Sequence, residues 1–199
     1  MLNSISEARL NDMPISETVF ERQSLSGLDL SQLEFNSVVF KNCGFEECDF
    51  SKTGFYECRF LDCNFNACVF SNTYWKKTQV VNCRLDRSVF VEAHLKGSGL
   101  SGSSLCYSNW SRSVLDNCAI SECFFNEAFL SESKLKKLKL NEVDFRGTDF
   151  FKTPLKGLDI STCAIDGITV SDDFHELKGV KISPPQALVF ARIIGVEVV

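Results

Sequence analysis

Ten cysteines and two histidines are the side chains of this 199-residue chain best suited to chemistry. Thiolates and imidazoles together build zinc sites, and a thiol or hydroxyl beside an imidazole builds a nucleophile. Zinc needs CxxC-type spacing, usually with a histidine pair nearby, and the chain has neither. His94 and His175 stand far apart in sequence, with no evident serine or cysteine nucleophile beside either. No glycine-rich phosphate loop, paired-carboxylate motif or metal-ligand spacing is present. The residues therefore read as those of a protein that is not an enzyme and holds no cofactor or metal.

The cysteines follow a ruler instead. Nine of them, at 43, 48, 58, 63, 68, 83, 118, 123 and 163, share one register, in which they alternate with Ser, Thr and Ala. Two residues after each stands an apolar residue, and from Phe35 to Phe70 that residue is phenylalanine every fifth position without a miss. Every multiple of five from Ile5 through Val170 is apolar, 34 positions in succession, and the first failure is His175. In a chain that is 44% apolar, such a run has chance odds of roughly one in 10^12, so the period is architectural. Five matches neither the helix period of 3.6 nor the strand period of 2. The register also passes through Gly97–Ser104, which composition alone would make a linker, because Leu95, Leu100 and Leu105 keep their places.

The pattern A(D/N)LXX, with "CDFSK" at 48–52, "CNFNA" at 63–67 and "TDFFK" at 148–152, resembles the pentapeptide-repeat family over about 85% of the chain. The resemblance implies an all-β fold, a right-handed quadrilateral β-helix with four pentapeptides per turn. Each segment then makes one flat side with its central residue inward, and the next coil stacks on it at about 4.8 Å. The 31 pentapeptides centred on Phe20 to Val170 make nearly eight coils, a rod on the order of 37 Å long at that rise. Residues 1–14 read as an N-terminal cap or irregular first coil over the open end. Residues 15–172 make the β-helix, and 173–199 form a separate C-terminal module. Cysteine two places before the central residue is then a small buried filler beside a bulky ring. Cys43, Cys63 and Cys83 should stack with Cα atoms about 4.8 Å apart, inside disulfide range, and reduced thiols in a reducing cytoplasm are expected. Trp75 and Trp110 fall at interior positions and belong to the core.

After Val170 the grammar changes. Ser183 can N-cap a short α-helix that opens with Pro184 and Pro185, runs from Gln186 through Ile194 and stops at Gly195. Val196 to Val199 reads as a final short strand. The helix is apolar almost all round, so one side can cover the last coil while Leu188, Phe190, Ala191, Ile193 and Ile194 offer a face to a second copy. A homodimer follows.

A packed rod has no cleft, so function must sit on its outside. The side between the Leu25 and Leu30 columns carries Asp29, Glu46, Glu47, Asp49, Asp86, Glu127, Asp149 and Asp166 against Arg87 and Arg146, a net of −6. The opposite side carries Arg59, Lys76, Lys77, Lys96, Lys136, Lys137, Lys139 and Lys156 and nets +4. The chain as a whole is at −5, which argues against direct nucleic-acid binding. No stretch approaches 18 apolar residues and no leader pattern stands at the start, so a membrane partner is not expected and the expected compartment is the cytoplasm.

Within the family the chain looks most like the Qnr and MfpA group. The similarity rests on a chain that is almost wholly rod, an acidic balance, and the terminal "KGVKISPPQALVFARIIGVEVV" from Lys178. It implies a DNA mimic that binds type II topoisomerases (DNA gyrase and topoisomerase IV), protects them from quinolones, and dimerises end to end through its C-terminal helix. Loops that interrupt the repeat in many Qnr proteins are absent here, as in MfpA-like members. The alternative is a pentapeptide-repeat scaffold for another protein partner.

Overall fold

The computed structural model describes residues 1–197. Strands of two or three residues recur along the chain and pair in parallel with a constant offset of 20, as in Phe35↔Phe55 and Phe40↔Phe60. Two faces carry seven-stranded parallel sheets, and a third carries a two-stranded sheet. Isolated bridges at the same offset, such as Asp49↔Val69 and Phe124↔Asp144, continue the remaining columns. This is the quadrilateral β-helix expected from the period of five.

The corners explain the period. The residue two after a central one takes a left-handed conformation along nearly the whole repeat, as at Asn42 (φ 51°) and Lys77 (φ 53°), with Thr162 an exception. Side-chain-bearing residues adopt that region sparingly elsewhere, yet here Glu, Lys and Arg hold the corner alongside Asn and Gly. Gly97 (φ +62°) and Gly102 (φ +57°) occupy this corner, which is why a glycine-rich stretch is a regular coil here. The Asp or Asn one before the central residue closes the same turn from its side chain. Asp49 Oδ1 accepts the Ser51 N–H at 2.8 Å, and Asn109 Oδ1 accepts that of Ser111 at 2.9 Å.

Inside, the phenylalanines form ladders. Phe40 and Phe60 stack at 4.8 Å between centroids, Phe50 and Phe70 at 5.0 Å, and Phe90 and Trp110 at 3.9 Å. Neighbouring columns meet edge to face, as between Phe45 and Phe50 at 5.5 Å, the other arrangement that aromatic quadrupoles favour. Trp75 and Trp110 are buried, and their indole N–H groups donate to Thr73 Oγ1 and Ser108 Oγ, each at 2.9 Å.

The nine register cysteines are all free and buried. They do more than fill space. At many of these positions the side chain donates to the carbonyl 23 residues earlier (Cys68 Sγ to Phe45 O at 2.8 Å, Thr53 Oγ1 to Leu30 O at 3.0 Å, Ser88 Oγ to Phe65 O at 2.6 Å), and at others to one two or three residues earlier, as Cys83 Sγ does to Val81 O at 3.3 Å. A shared need for a small donor accounts for the interchange of Cys, Ser and Thr. Cys43, Cys63 and Cys83 do stack. Each sulfur above accepts the N–H below, Cys43 N to Cys63 Sγ and Cys63 N to Cys83 Sγ, both at 3.4 Å. Burial pushes the Cys58 and Cys123 thiols up to about 11, so neither is a thiolate at neutral pH.

Residues 2–11 depart from the five-residue period. Leu2–Asn11 is a helix, α1, that lays Ile5 and Ala8 on the first coil and leaves Leu10 84% exposed. Ile5 and Leu10 share the register only by coincidence.

The other end also differs from expectation. The rod does not stop at Val170. After an inserted loop the chain winds on, with Leu155 N donating to Glu176 O at 2.9 Å and Asp159 bridging to Lys181. An offset of 22 in place of 20 brings Leu177 and Ile182 over Leu155 and Ile160, and both pack against the core. One seam interrupts the rod. Among the described residues no backbone hydrogen bond joins 134–141 to 154–161, and Pro154 has no N–H to offer the Ser133 carbonyl. Leu135 and Leu140 are accordingly half-buried.

The final helix, α2, spans Gln186–Ile193. The Ser183 carbonyl accepts the Gln186 N–H at 3.1 Å, and Gln186 Oε1 reaches back to the Ser183 N–H at 2.7 Å, half of a capping box that sequence reading missed. Gly195 closes α2 in a Schellman arrangement, with Val196 N to Ala191 O at 2.8 Å and Gly195 N to Arg192 O at 3.0 Å. Val196 and Glu197 form no strand, which corrects the expected terminal strand in part, and Val198–Val199 lie outside the described residues.

Candidate functional site

The acidic side is real in place but uneven in character. Asp29 and Asp49 stand on adjacent rungs, and Glu46 and Glu47 share the strand-and-corner of Asp49, so four of the eight acids cluster near the N-terminal end. Glu127, Asp149 and Asp166 lie toward the other end. Between them the same column reads Val69, Val89, Asn109 and Phe129.

Half of the eight carboxylates are engaged locally. Asp29 caps Ser31 N at 2.9 Å and pairs with Arg9 of α1 at 3.3 Å. The Ser31 contacts, more than Arg9, hold its carboxyl below the ordinary value. Asp49 closes its turn. Asp86 accepts the Ser104 hydroxyl and the Cys106 N–H, the latter at 3.0 Å. Asp149 accepts Phe151 N at 2.8 Å, Ser131 Oγ at 2.7 Å and Thr169 Oγ1 at 3.1 Å. Glu46, Glu47, Glu127 and Asp166 are exposed and make no such bonds among the described residues, which leaves them as the acids most open to a partner. Glu127 lies along the next rung, its carboxylate over Gly147, where a Cβ would meet it at 2.5 Å.

Sequence reading missed exposed aromatics. Tyr107 (57% exposed) and Phe129 (49%) sit on the acidic side, and Phe124 and Phe151 lie exposed on neighbouring sides. The signal was available: these four stand at outward positions of the repeat, where an aromatic fills no core.

At the C-terminal end α2 splits its apolar residues. Val189, Phe190 and Ile193 pack on the core, while Leu188 and Ile194 stay about half exposed, 49% and 51%, with Val196 beside them at 50%. Ala191 is half-buried. The face offered to a second copy is therefore Leu188, Ile194 and Val196, narrower than the five residues expected. Gln186 anchors α2 by donating to the Ile160 and Cys163 carbonyls at 2.8 and 2.7 Å.

His175 has partners that sequence reading did not foresee. Ser171 Oγ lies 3.0 Å from its Nδ1, and Asp173 Oδ1 lies 2.7 Å from the same nitrogen. A hydrolytic triad needs the hydroxyl and the carboxylate on opposite ring nitrogens. Here they share one, so the group cannot relay a proton from Ser171 to Asp173 through the ring. The His175 ring holds the Asp173 carboxyl down to about 2.

Glu176 is the structural member of this group. It is fully buried and accepts Lys152 N at 2.7 Å and Ser171 Oγ at 2.6 Å. In regular coils the N–H at the Lys152 position bonds a carbonyl of the next rung, as Arg112 N does with Ser131 O. Glu176 supplies that acceptor where the regular rung is missing. Burial pushes its carboxyl up, but the Ser171 hydroxyl and the surrounding N–H groups outweigh that and bring it below its ordinary value. Its stabilisation is thus present above the ordinary carboxylate range and lost as pH falls through the lowered folded value. Glu176→Ala should cost about 1–3 kcal/mol at pH 7, the cost of stranding buried donors. In urea melts the deficit against the parent should shrink at pH 3, and an unchanged deficit would contradict this role.

Two family models match the chain: the pentapeptide repeat region over residues 33–110, and pentapeptide repeats, eight copies, over residues 113–151. Together they span more than half of it. No curated protein matches. Among solved structures, QnrB1, a plasmid-mediated fluoroquinolone resistance protein, is similar at a TM-score of 0.50 and 18% identity, over 89% of this chain and 100% of that one. A Nostoc pentapeptide repeat protein, alr5209, gives a TM-score of 0.40 at 19% identity, over 60% of this chain and 84% of that one. HetL, a Nostoc pentapeptide repeat protein involved in heterocyst differentiation regulation, gives 0.29 at 11%, over 89% and 92%. At such identities the likeness is one of fold. With the register, the four-sided winding and both matched stretches in agreement, the chain belongs to the pentapeptide-repeat family.

Proposed function

We propose that this protein is a DNA mimic that binds a type II topoisomerase, DNA gyrase or topoisomerase IV, and shields it from quinolones. The observation that carries the reading is a charge-polarised rod whose exposed carboxylates at Glu46, Glu47, Glu127 and Asp166 line one side. Such a field steers a basic partner surface and orders its orientation. The fold likeness to a fluoroquinolone resistance protein agrees with it. Cytoplasmic residence, where such an enzyme works, belongs to the same proposal. No helix among the described residues is long and apolar enough to cross a membrane. Supercoiling by gyrase with and without ciprofloxacin tests the reading: restored supercoiling under the drug supports it, and no effect at saturating protein contradicts it.

Leu188, Ile194 and Val196 at the rod's end support the homodimer. Sedimentation should give a species near twice 22.3 kDa, and Leu188→Asp with Ile194→Asp should give a folded monomer. A monodisperse parent monomer at high concentration would sink the dimer.

A second reading, a scaffold for another protein, is favoured by one observation. Tyr107 and Phe129 interrupt the acidic side, and exposed aromatics are typical anchors of protein interfaces. Tyr107→Ala with Phe129→Ala should leave topoisomerase binding intact under the first reading and abolish partner binding under the second.

A further inference from the structure

We propose that the C-terminal end of the basic side is a docking surface for the phosphate backbone of duplex nucleic acid. The proposed function gives this side no role. The structure adds to it, because the irregular last winding brings Lys178 and Lys181 beside residues already basic. Asp159 bridges to Lys181, Gly157 N donates to Gly179 O at 2.9 Å, and the Lys156 side chain runs along Gly179. Lys136, Lys137, Lys139, Lys156, Lys178 and Lys181 are all exposed, and none makes an ion pair among the described residues. The acids among them are Asp159, already bonded to Ser161 at 2.6 Å, and the half-buried Asp116, the ladder neighbour of Lys136.

The net charge of −5 does not exclude such a contact. Opposite walls of the rod are separated by about 10 Å of packed core, with side chains extending farther on both sides. The acidic side thus lies beyond the Debye length of about 8 Å at physiological ionic strength. The lysines act locally.

The chemistry of the patch selects the partner. Between the lysines stand Gly157, Asp159 and Gly179, with no exposed apolar or aromatic side chain. A protein partner would need apolar anchors, and a single strand would need aromatic platforms for its bases. A duplex backbone needs only positive point charges, and lysine supplies them without reading sequence.

The test is fluorescence anisotropy of a labelled 20-base-pair duplex with the full chain and no topoisomerase. Failure here is thus distinct from failure of the proposed function. Affinity should fall roughly 100- to 1,000-fold between 50 and 200 mM salt, as expected for four to six displaced counterions. The triple reversals K156E/K178E/K181E and K136E/K137E/K139E should each weaken binding at least about tenfold. A control with the same charge change on other sides, R22E/K52E/R87E, should change it less than about threefold. All nine positions are exposed, so the variants should keep the parent's β spectrum. No binding at 50 mM salt, or equal losses from control and patch variants, would overturn the proposal. So would tighter binding to polyglutamate or to phosphatidylglycerol vesicles than to the duplex, which would assign the patch to an acidic protein or a lipid surface.

Discussion

Phe50→Ala should lower the stability of the rod by about 3–5 kcal/mol, and Phe50→Asp should prevent folding. Phe50 is fully buried, stacks on Phe70 at 5.0 Å, and meets Phe45 and Phe65 edge to face at 5.5 and 5.9 Å. Its coil is held by Phe50 N to Val69 O at 2.7 Å. A truncated ring leaves a cavity bounded by rungs that are fixed at the strand spacing, so the walls cannot collapse to fill it. An Asp there would place a charge among rings with no partner. The lower half tests the same logic. Leu130 has its own rung tied by Leu130 N to Asp149 O at 2.8 Å, but it lines a small apolar cavity of about 10 Å³ that reaches the untied rungs of the seam. Leu130→Ala should therefore cost less, nearer 2–3 kcal/mol. Chemical denaturation at pH 7 measures both. Equal losses would show that the seam does not loosen the core.

The period of five made the interior legible to the residue. Inward columns, the register cysteines and both tryptophans follow from position alone, because a β-helix fixes every fifth side chain against its neighbours one coil away. What escaped was at the ends, where the repeat no longer dictates. Leu10 obeys the period yet faces solvent, since α1 follows helix spacing and buries Ile5 and Ala8 instead. Leu177 and Ile182 break the period yet are packed inside, since a two-residue insertion restores the winding. The outside was legible as charge but not as chemistry. Asp29, Asp49 and Asp149 count as acids in any sum, and yet they close turns or accept neighbouring side chains. The period cannot distinguish an acid kept for a turn from one open to a partner. Hydrogen bonding can.

That distinction shapes the second expectation. The proposed function predicts that reversal of Glu46, Glu47 and Asp49 to lysine weakens topoisomerase binding at least about tenfold, because three adjacent charges change sign on one rung of the acidic side. Most of the loss should come from Glu46 and Glu47, which are open, and Asp49→Lys alone should cost mainly stability through its lost turn contact to Ser51. The double variant E46K/E47K therefore separates binding from folding. Reversal of Lys136, Lys137 and Lys139 should leave this affinity within about threefold, although it should weaken duplex binding at least about tenfold.

The most direct measurement is the affinity of the full chain for the DNA-free breakage–reunion core of gyrase at 50 and 200 mM salt, with parent, E46K/E47K and K136E/K137E/K139E side by side. A DNA mimic predicts tight binding that weakens steeply with salt, falls with the acidic-side variant and holds with the lysine variant. Equal losses from both variants, or an affinity indifferent to salt, would contradict it.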